Sequence, residues 1–298
     1  VFTDHHIKTR LYLLLLCAAG MMGSCSEQSS VDFETIIPRQ QILVKDGWQN
    51  SHPVWRGDGA RILYAARSTT RDSTLVREVE IAGKHIRTLF GVKGTLTFPA
   101  YASDSTEYYC IANRLGDHDL WSVKPALATW SRLSSEAGDE SFIRPAPDGR
   151  HLAYLTSWRI ALLDLQSRHV DYLKTPDHLV LSLSWDADGQ ELLFSGMETY
   201  EERLYRFRLD SAVVAPLAFI APLGGWPVAA RWNAGHTPGP YVAFEESGGL
   251  ELYMPGEDRQ ATIVASGKMP AWSPDGTTLV YVRGNDLILD KIWVVINE

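Results

Sequence analysis

The residues able to do chemistry are scattered, and few stand at a spacing that a familiar reaction requires. No Gly-x-Ser-x-Gly nucleophile turn, His-Glu-x-x-His zinc pair or Gly-rich phosphate loop occurs, so hydrolase, metalloprotease and nucleotide chemistry are not written into any contiguous stretch. Asp186-Ala187-Asp188-Gly189 opens like a calcium loop, whose alternating carboxylates would ligate the ion. The acid due at the twelfth position is missing, and the segment coincides with a turn of the repeat described below. The histidines stand singly, without Cys or His at metal-ligand spacing. Cys110, alone in the run Tyr108-Tyr109-Cys110-Ile111-Ala112, reads as a small buried hydrophobe and not as a reactive thiol. No catalytic residue, metal or cofactor is assigned on this basis, and the chain is expected not to be an enzyme.

What positions these residues is a repeat. Met269-Pro270-Ala271-Trp272-Ser273-Pro274-Asp275-Gly276, followed by the apolar run Leu279–Val282, is its clearest copy. His52-Pro53-Val54-Trp55-Arg56-Gly57-Asp58-Gly59 and Ser182-Leu183-Ser184-Trp185-Asp186-Ala187-Asp188-Gly189 are two more. Weaker copies begin at Phe98, at Arg144 and at Ala229. The spacing of roughly 40–47 residues is the period of a four-stranded propeller blade. Pro and Asp preset a tight turn, Gly accepts its left-handed place, and the aromatic before it fills the space between neighbouring blades. A single blade cannot bury both faces, so the copies must stack around a ring. The fold predicted is all-β: a six-bladed β-propeller of four-stranded antiparallel blades over residues 40–298.

The last repeat ends one strand short, with strands expected at 269–273, 278–283 and 291–296. Gln41-Ile42-Leu43-Val44 is a β-prone run too isolated to form a blade of its own. It is expected to close the last blade as its outermost strand, which leaves the ring no open edge.

In that ring Trp55, Trp185, Trp232 and Trp272 share the repeat position and read as core; Trp121 and Trp293 read as packing in third strands. Trp48, Trp158 and Trp226 fall outside the register and are expected on one face, an aromatic platform for a ligand or packing beneath loops. The same face carries the hairpins between second and third strands, the longest being Gly196–Arg203 with Tyr200, Glu201 and Glu202. His52 should lie at the mouth of the channel, in a ring completed by Phe98, Arg144, Ser182, Ala229 and Met269. The candidate partner-binding face therefore comprises Trp48, His52, Arg144, Trp158, Tyr200, Glu201, Glu202 and Trp226. A net charge of −8 with no dense basic cluster argues against nucleic acid.

The pattern Pro-x-Trp-Ser-Pro-Asp-Gly, then an apolar strand, a loop such as Asn113–Asp119, and Leu120-Trp121-Ser122-Val123, resembles the TolB-type, WD-like propeller repeat. The resemblance implies a bacterial envelope protein that binds another envelope protein or a peptide. TolB carries an α/β domain before its propeller, and only a short tether precedes this one. The fold and a general docking or scaffolding role are carried over; the alternative is a glycan-binding protein or enzyme using the channel mouth.

The first residues are of another kind. Lys8 and Arg10 precede the apolar run Leu11–Ala19, and Gly23-Ser24 lead into Cys25. This resembles a bacterial lipoprotein signal and implies a signal peptide over residues 1–24, lipidation at Cys25 and a tether over 25–39. The protein is thus expected to be a monomer held on a membrane of the cell envelope, facing the periplasm or the exterior.

Overall fold

The computed structural model describes residues 33–36, 40–134, 138–175, 179–186, 189–198, 201–221, 242–246, 248–254, 259–264, 266–291 and 293–296. Short strands and tight turns account for nearly all of them. Gln41–Val44 (β2) follows Phe33–Ile36 (β1). Blade 1 contains Gln49–Trp55 (β3), Arg61–Arg67 (β4), Ser73–Glu80 (β5) and Ile86–Lys93 (β6). Blade 2 contains Leu96–Tyr101 (β7), Tyr108–Asn113 (β8), His118–Lys124 (β9) and Thr129–Arg132 (β10). Blade 3 contains Glu140–Pro145 (β11), His151–Thr156 (β12), Arg159–Asp164 (β13) and Val170–Tyr172 (β14). Blade 4 contains Leu179–Trp185 (β15), Glu191–Glu198 (β16), Glu201–Arg208 (β17) and Val213–Ala221 (β18). Val242–Glu246 (β19), Gly249–Met254 (β20) and Arg259–Val264 (β21) form a three-stranded sheet. Lys268–Trp272 (β22), Thr278–Arg283 (β23) and Asp286–Lys291 (β24) form the closing blade, and Trp293–Ile296 is β25.

The described residues thus make five four-stranded blades, not the six expected from the repeat count. The correction falls on the copy at Ala229, where Trp232 is followed by Asn233-Ala234-Gly235 and not by the Asp-Gly of four of the other five copies, the Phe98 copy having Asp104-Ser105. The unit after it is the three-stranded sheet, and Ala229 and Trp232 lie outside the described residues.

The closing strand is as expected. β2 pairs antiparallel with β24, and the order across the closing blade is β2-β24-β23-β22. Leu43 and Val44 are buried there, in one core with Trp55, Tyr64 and Val280. The third strand of this blade is Asp286–Lys291 instead of 291–296; Trp293–Ile296 turns away and pairs with β1, Phe33 opposite Ile296. Two separate ladders therefore tie the ends of the chain together.

Each hairpin between first and second strands is set by its turn. Gly276 donates its N–H to Ser273 O at 2.8 Å with φ 68°, and Asp275 accepts from the amide of Thr277. Asp186 serves the same purpose, accepting from the amides of Gln190 and Glu191. Its carboxylate is a turn cap, as the repeat position implies.

Two of the repeat tryptophans bond one blade to the next. Trp55 Nε1 donates to Ala271 O at 3.0 Å, and Trp185 Nε1 donates to Arg144 O at 2.8 Å. Each indole thus reaches the innermost strand of a neighbouring blade, which explains why the position holds Trp, a large apolar body with one donor. Cys110 is fully buried, and burial pushes its thiol above the ordinary range, as a packing residue requires.

Candidate functional site

The innermost strands carry a common irregularity. The ladder skips between Ser51 and Val54, between Thr97 and Ala100, between Ser141 and Arg144, and between Lys268 and Ala271. The extra residue in each case is a bulge. Its first member has a positive φ: His52 50°, Phe98 48°, Phe142 52° and Met269 54°. Four non-glycine residues in this region at equivalent places show a conformation imposed by the architecture, at a cost of about 1–2 kcal/mol each. β15 bulges between Val180 and Ser182 as well.

The bulges bring distant residues together around the channel. The His52 ring lies 4.1 Å from that of Phe98, and Phe98 lies 4.6 Å from Phe142, centroid to centroid. On the other side the His52 amide approaches Met269 Sδ at 3.3 Å. Met269, His52, Phe98 and Phe142 thus form an apolar floor. Sequence spacing puts Arg144 in this ring; the structure puts Phe142 there. Pro145 pairs with Leu152 as Trp55 pairs with Ile62, so the equivalent of His52 stands two residues before Arg144.

Above that floor lies a cavity of about 800 Å³. Asp139, Glu140, Ser141, Ser157 and Trp158 line it from blade 3, Val180 and Leu181 from blade 4, Glu245 from β19, and Lys268 from the closing blade. Trp158 is 54% exposed and sits with Ser157 at the tip of the β12–β13 hairpin. Both residues are left-handed, φ 48° and 63°, as a two-residue hairpin turn demands. Asn and Gly usually fill such a turn, and here a large aromatic takes a strained place beside a cavity.

The charges around the cavity are unevenly distributed. His52 Nδ1 is enclosed and has no hydrogen-bond partner among the described residues. Burial, reinforced by the nearby Arg144 and Lys268 cations, pushes the imidazole down to about 3, so the ring is neutral at physiological pH. Glu245 is shifted the other way: burial raises its carboxyl above the ordinary range, opposed by the Met269 amide and by Lys268. The Met269 amide donates to Glu245 Oε2 at 3.4 Å. A neutral imidazole and a reluctant carboxylate therefore flank Met269 from opposite sides. Asp139 is held below the ordinary range by hydrogen bonds from the His118 amide and ring. Among the described residues no group of three or more His, Cys, Asp or Glu side chains is placed to hold a metal ion.

Of the residues singled out from sequence, His52 and Trp158 line the cavity. Arg144 sits behind it, close enough to act on His52, with its Nη1 donating to Ile143 O. Trp48 packs elsewhere, half-buried at the seam beneath the Arg77 guanidinium, 4.2 Å from the ring centroid. Glu201 and Glu202 pair with Glu198 and Met197 in the β16–β17 hairpin. Cys25, Tyr200 and Trp226 lie outside the described residues. Glu245 belongs to a second-to-third-strand loop expected on this face, whereas Glu140 and Lys268 escaped the sequence reading, and the three come from different sheets. Lys268 directly precedes the repeat motif and Glu140 opens an innermost strand; that position was the available signal.

No family model matches the chain, and no curated protein matches it. The matches are to solved structures. The structure of a putative TolB from Agrobacterium tumefaciens superimposes with a TM-score of 0.63 at 15% identity, over 89% of this chain and 100% of that one. TolB from Acinetobacter baumannii gives a TM-score of 0.62 at 16% identity, over 79% of this chain; the match spans 65% of the Acinetobacter chain. An oligogalacturonate lyase from Vibrio parahaemolyticus gives 0.56 at 11% identity, over 88% and 97% of the two chains. At these identities the likeness is one of fold: a β-propeller resembling the TolB propeller. The expectation that the chain is not an enzyme does not survive the comparison, because a lyase is built on the same fold. Its physical weakness is plain. A propeller collects site residues from separate blades, so the absence of a contiguous motif says little about catalysis.

Proposed function

We propose that the protein is a saccharide-binding propeller, or an enzyme acting on a saccharide, that uses the mouth of its central channel. The observation that carries this reading is the cavity of about 800 Å³ in which the exposed Trp158 stands with Asp139, Glu140, Ser141 and Ser157 of its own blade, across from Glu245 of β19. An indole face packs against the C–H face of a sugar, and carboxylates and hydroxyls orient its hydroxyl groups. His52 and Glu245 both line the cavity and flank Met269, so an imidazole and a carboxyl group, the side-chain types that acid–base chemistry uses, face the same space. The fold it shares with an oligogalacturonate lyase is compatible with such chemistry. Calorimetric titration against a panel of oligosaccharides tests the reading. Trp158→Ala should abolish binding of any hit. Glu245→Gln should leave binding within a few-fold and remove turnover, if turnover exists. A panel without a hit, or a hit indifferent to Trp158→Ala, refutes it.

A second reading is docking of an envelope protein or peptide on the same face, favoured by the exposure of Leu115, Trp158 and Leu179. Cross-linking from position 115 in intact cells tests it; a partner captured equally from a position on the opposite face counts against it. We place the protein on the cell envelope, with residues 1–24 as signal peptide, Cys25 as lipid anchor and residues 40–298 as the propeller. The support is the apolar run ending in Gly23-Ser24-Cys25. Cys25→Ala should release the protein from membranes on fractionation, and firm retention would overturn the anchor.

A further inference from the structure

We propose that the groove between blades 1 and 2 is a second ligand site, which takes a carboxylate through the Arg114 guanidinium and the Lys93 ammonium. The groove, about 730 Å³, is lined by Asp72, Lys93, Gly94, Asn113, Arg114 and Trp130 among others. Its charge is opposite to that of the chain as a whole, which carries a net −8. Asp72, the acid in the lining, already accepts from Arg67 Nη2 at 3.4 Å. Arg67 is committed in turn, since its Nη1 donates to Thr95 Oγ1 at 3.0 Å. Arg114 and Lys93 have no ion-pair partner among the described residues.

Arg114 is also held in place before any ligand arrives. Its guanidinium carbon lies 4.2 Å from the Trp130 ring centroid and 5.1 Å from that of Trp121. Trp130 is braced edge-on by Phe90 at 5.5 Å and by Trp121 at 6.1 Å. A guanidinium stacked on indole keeps its N–H fork available, and the stacking lowers the entropy cost of binding. Such a fork matches the two oxygens of a carboxylate. A polyphosphate or sulfate site would ordinarily add a cradle of backbone N–H groups. Here the Gly94 N–H is already donated to Asp72 O. Side chains do the recognising, and a singly charged planar oxyanion fits them best.

The test is titration of the ¹⁵N-labelled full chain, following the Trp130 indole N–H signal, assigned by its loss in Trp130→Phe. The probes are glucuronate, N-acetylglutamate, glucose and inorganic sulfate. A saturable shift with either acid and none with glucose supports the site, and the stronger acid shows whether a sugar or a peptide-like molecule carries the carboxylate. Arg114→Gln should weaken that response about tenfold or more, since a charge-assisted hydrogen bond is lost. Lys93→Gln should weaken it less and blunt its salt dependence. If Arg114→Gln fails to fold, Lys93→Gln and the glucose control decide the matter by themselves. No shift with either acid, an equal shift with glucose, or sulfate binding as tight as the carboxylates overturns the proposal. The signal read is that of Trp130, which lines the groove and not the channel-mouth cavity, so failure here leaves the saccharide reading of that site standing.

Discussion

Replacing Trp185 tests whether the blades are bonded to one another or merely stacked. The residue is 6% exposed, and its indole N–H donates across the blade boundary to Arg144 O at 2.8 Å. Trp185→Phe keeps much of the apolar body, removes the donor and strips that carbonyl of its partner. Such a loss costs about 1–3 kcal/mol. Trp185→Ala removes the whole indole, and large aromatic truncations in cores cost about 3–5 kcal/mol. Trp158→Ala is the control: the side chain is half exposed at a hairpin tip, and about 1 kcal/mol or less is expected. Urea unfolding followed by circular dichroism, with the slope against urea unchanged among variants, reads these differences directly. In thermal melts each kcal/mol corresponds to roughly 2–4 °C for a domain approaching this size. Trp185→Ala should be the least stable variant and Trp185→Phe the next, while Trp158→Ala should match wild type closely. If Trp185→Phe lies within about 0.5 kcal/mol of wild type, the interblade hydrogen bond contributes nothing and the argument for Trp at the repeat position fails. If Trp158→Ala is as damaging as Trp185→Ala, the hairpin tip is core and cannot serve as a ligand platform.

Three further outcomes are expected. Leu43→Ala in the closing strand should lower stability by about 2–5 kcal/mol and shift the single melt of the whole domain; a separate low-temperature transition would mean that the strand is not part of the seam. His52 is held neutral, with its folded value near 3 against an ordinary 6.5, so the unfolded chain binds a proton that the folded chain refuses. Stability is therefore intact above pH 6.5 and falls as the pH drops from 6.5 toward 3, by up to about 1.4 kcal/mol per pH unit from this group. His52→Phe should flatten that slope in pH-dependent urea titrations, and an unchanged slope would show that the imidazole is not sequestered. Glu78, 1% exposed, bonds Arg61 at 2.9 Å, Arg87 at 2.6 Å and the Tyr101 hydroxyl at 2.9 Å. Glu78→Ala should cost roughly 3 kcal/mol, at the low end for a broken buried pair because both arginines reach solvent; a cost under about 1 kcal/mol would show that the cluster is decorative.

The repeat is where the sequence spoke most clearly. Asp-Gly turns and the aromatic three places before them depend on local backbone sterics and on one side chain's volume. They predict hairpins at Gly59, Gly189 and Gly276 and buried indoles at Trp55, Trp185 and Trp272 without any tertiary information. The closing strand was legible for a related reason: an apolar run with no blade of its own must pair with an open edge, and Gln41–Val44 does so. The number of complete blades was not legible, because a short pattern counts copies and not strands: the Phe98 copy makes a full blade without an Asp-Gly turn, while the described unit after the Ala229 copy has three strands. The site was the least visible. A bulge places Phe142 and not Arg144 beside His52, and a bulge is a shift of ladder register between two strands, invisible in either strand alone. Trp158 was expected on this face from its place outside the repeat register, but Glu140, Glu245 and Lys268 stand on three different sheets and become neighbours only when the ring closes. A propeller builds its central site from several sheets at once, so chain spacing carries the walls and the tertiary ring alone decides which side chains of different blades face one another.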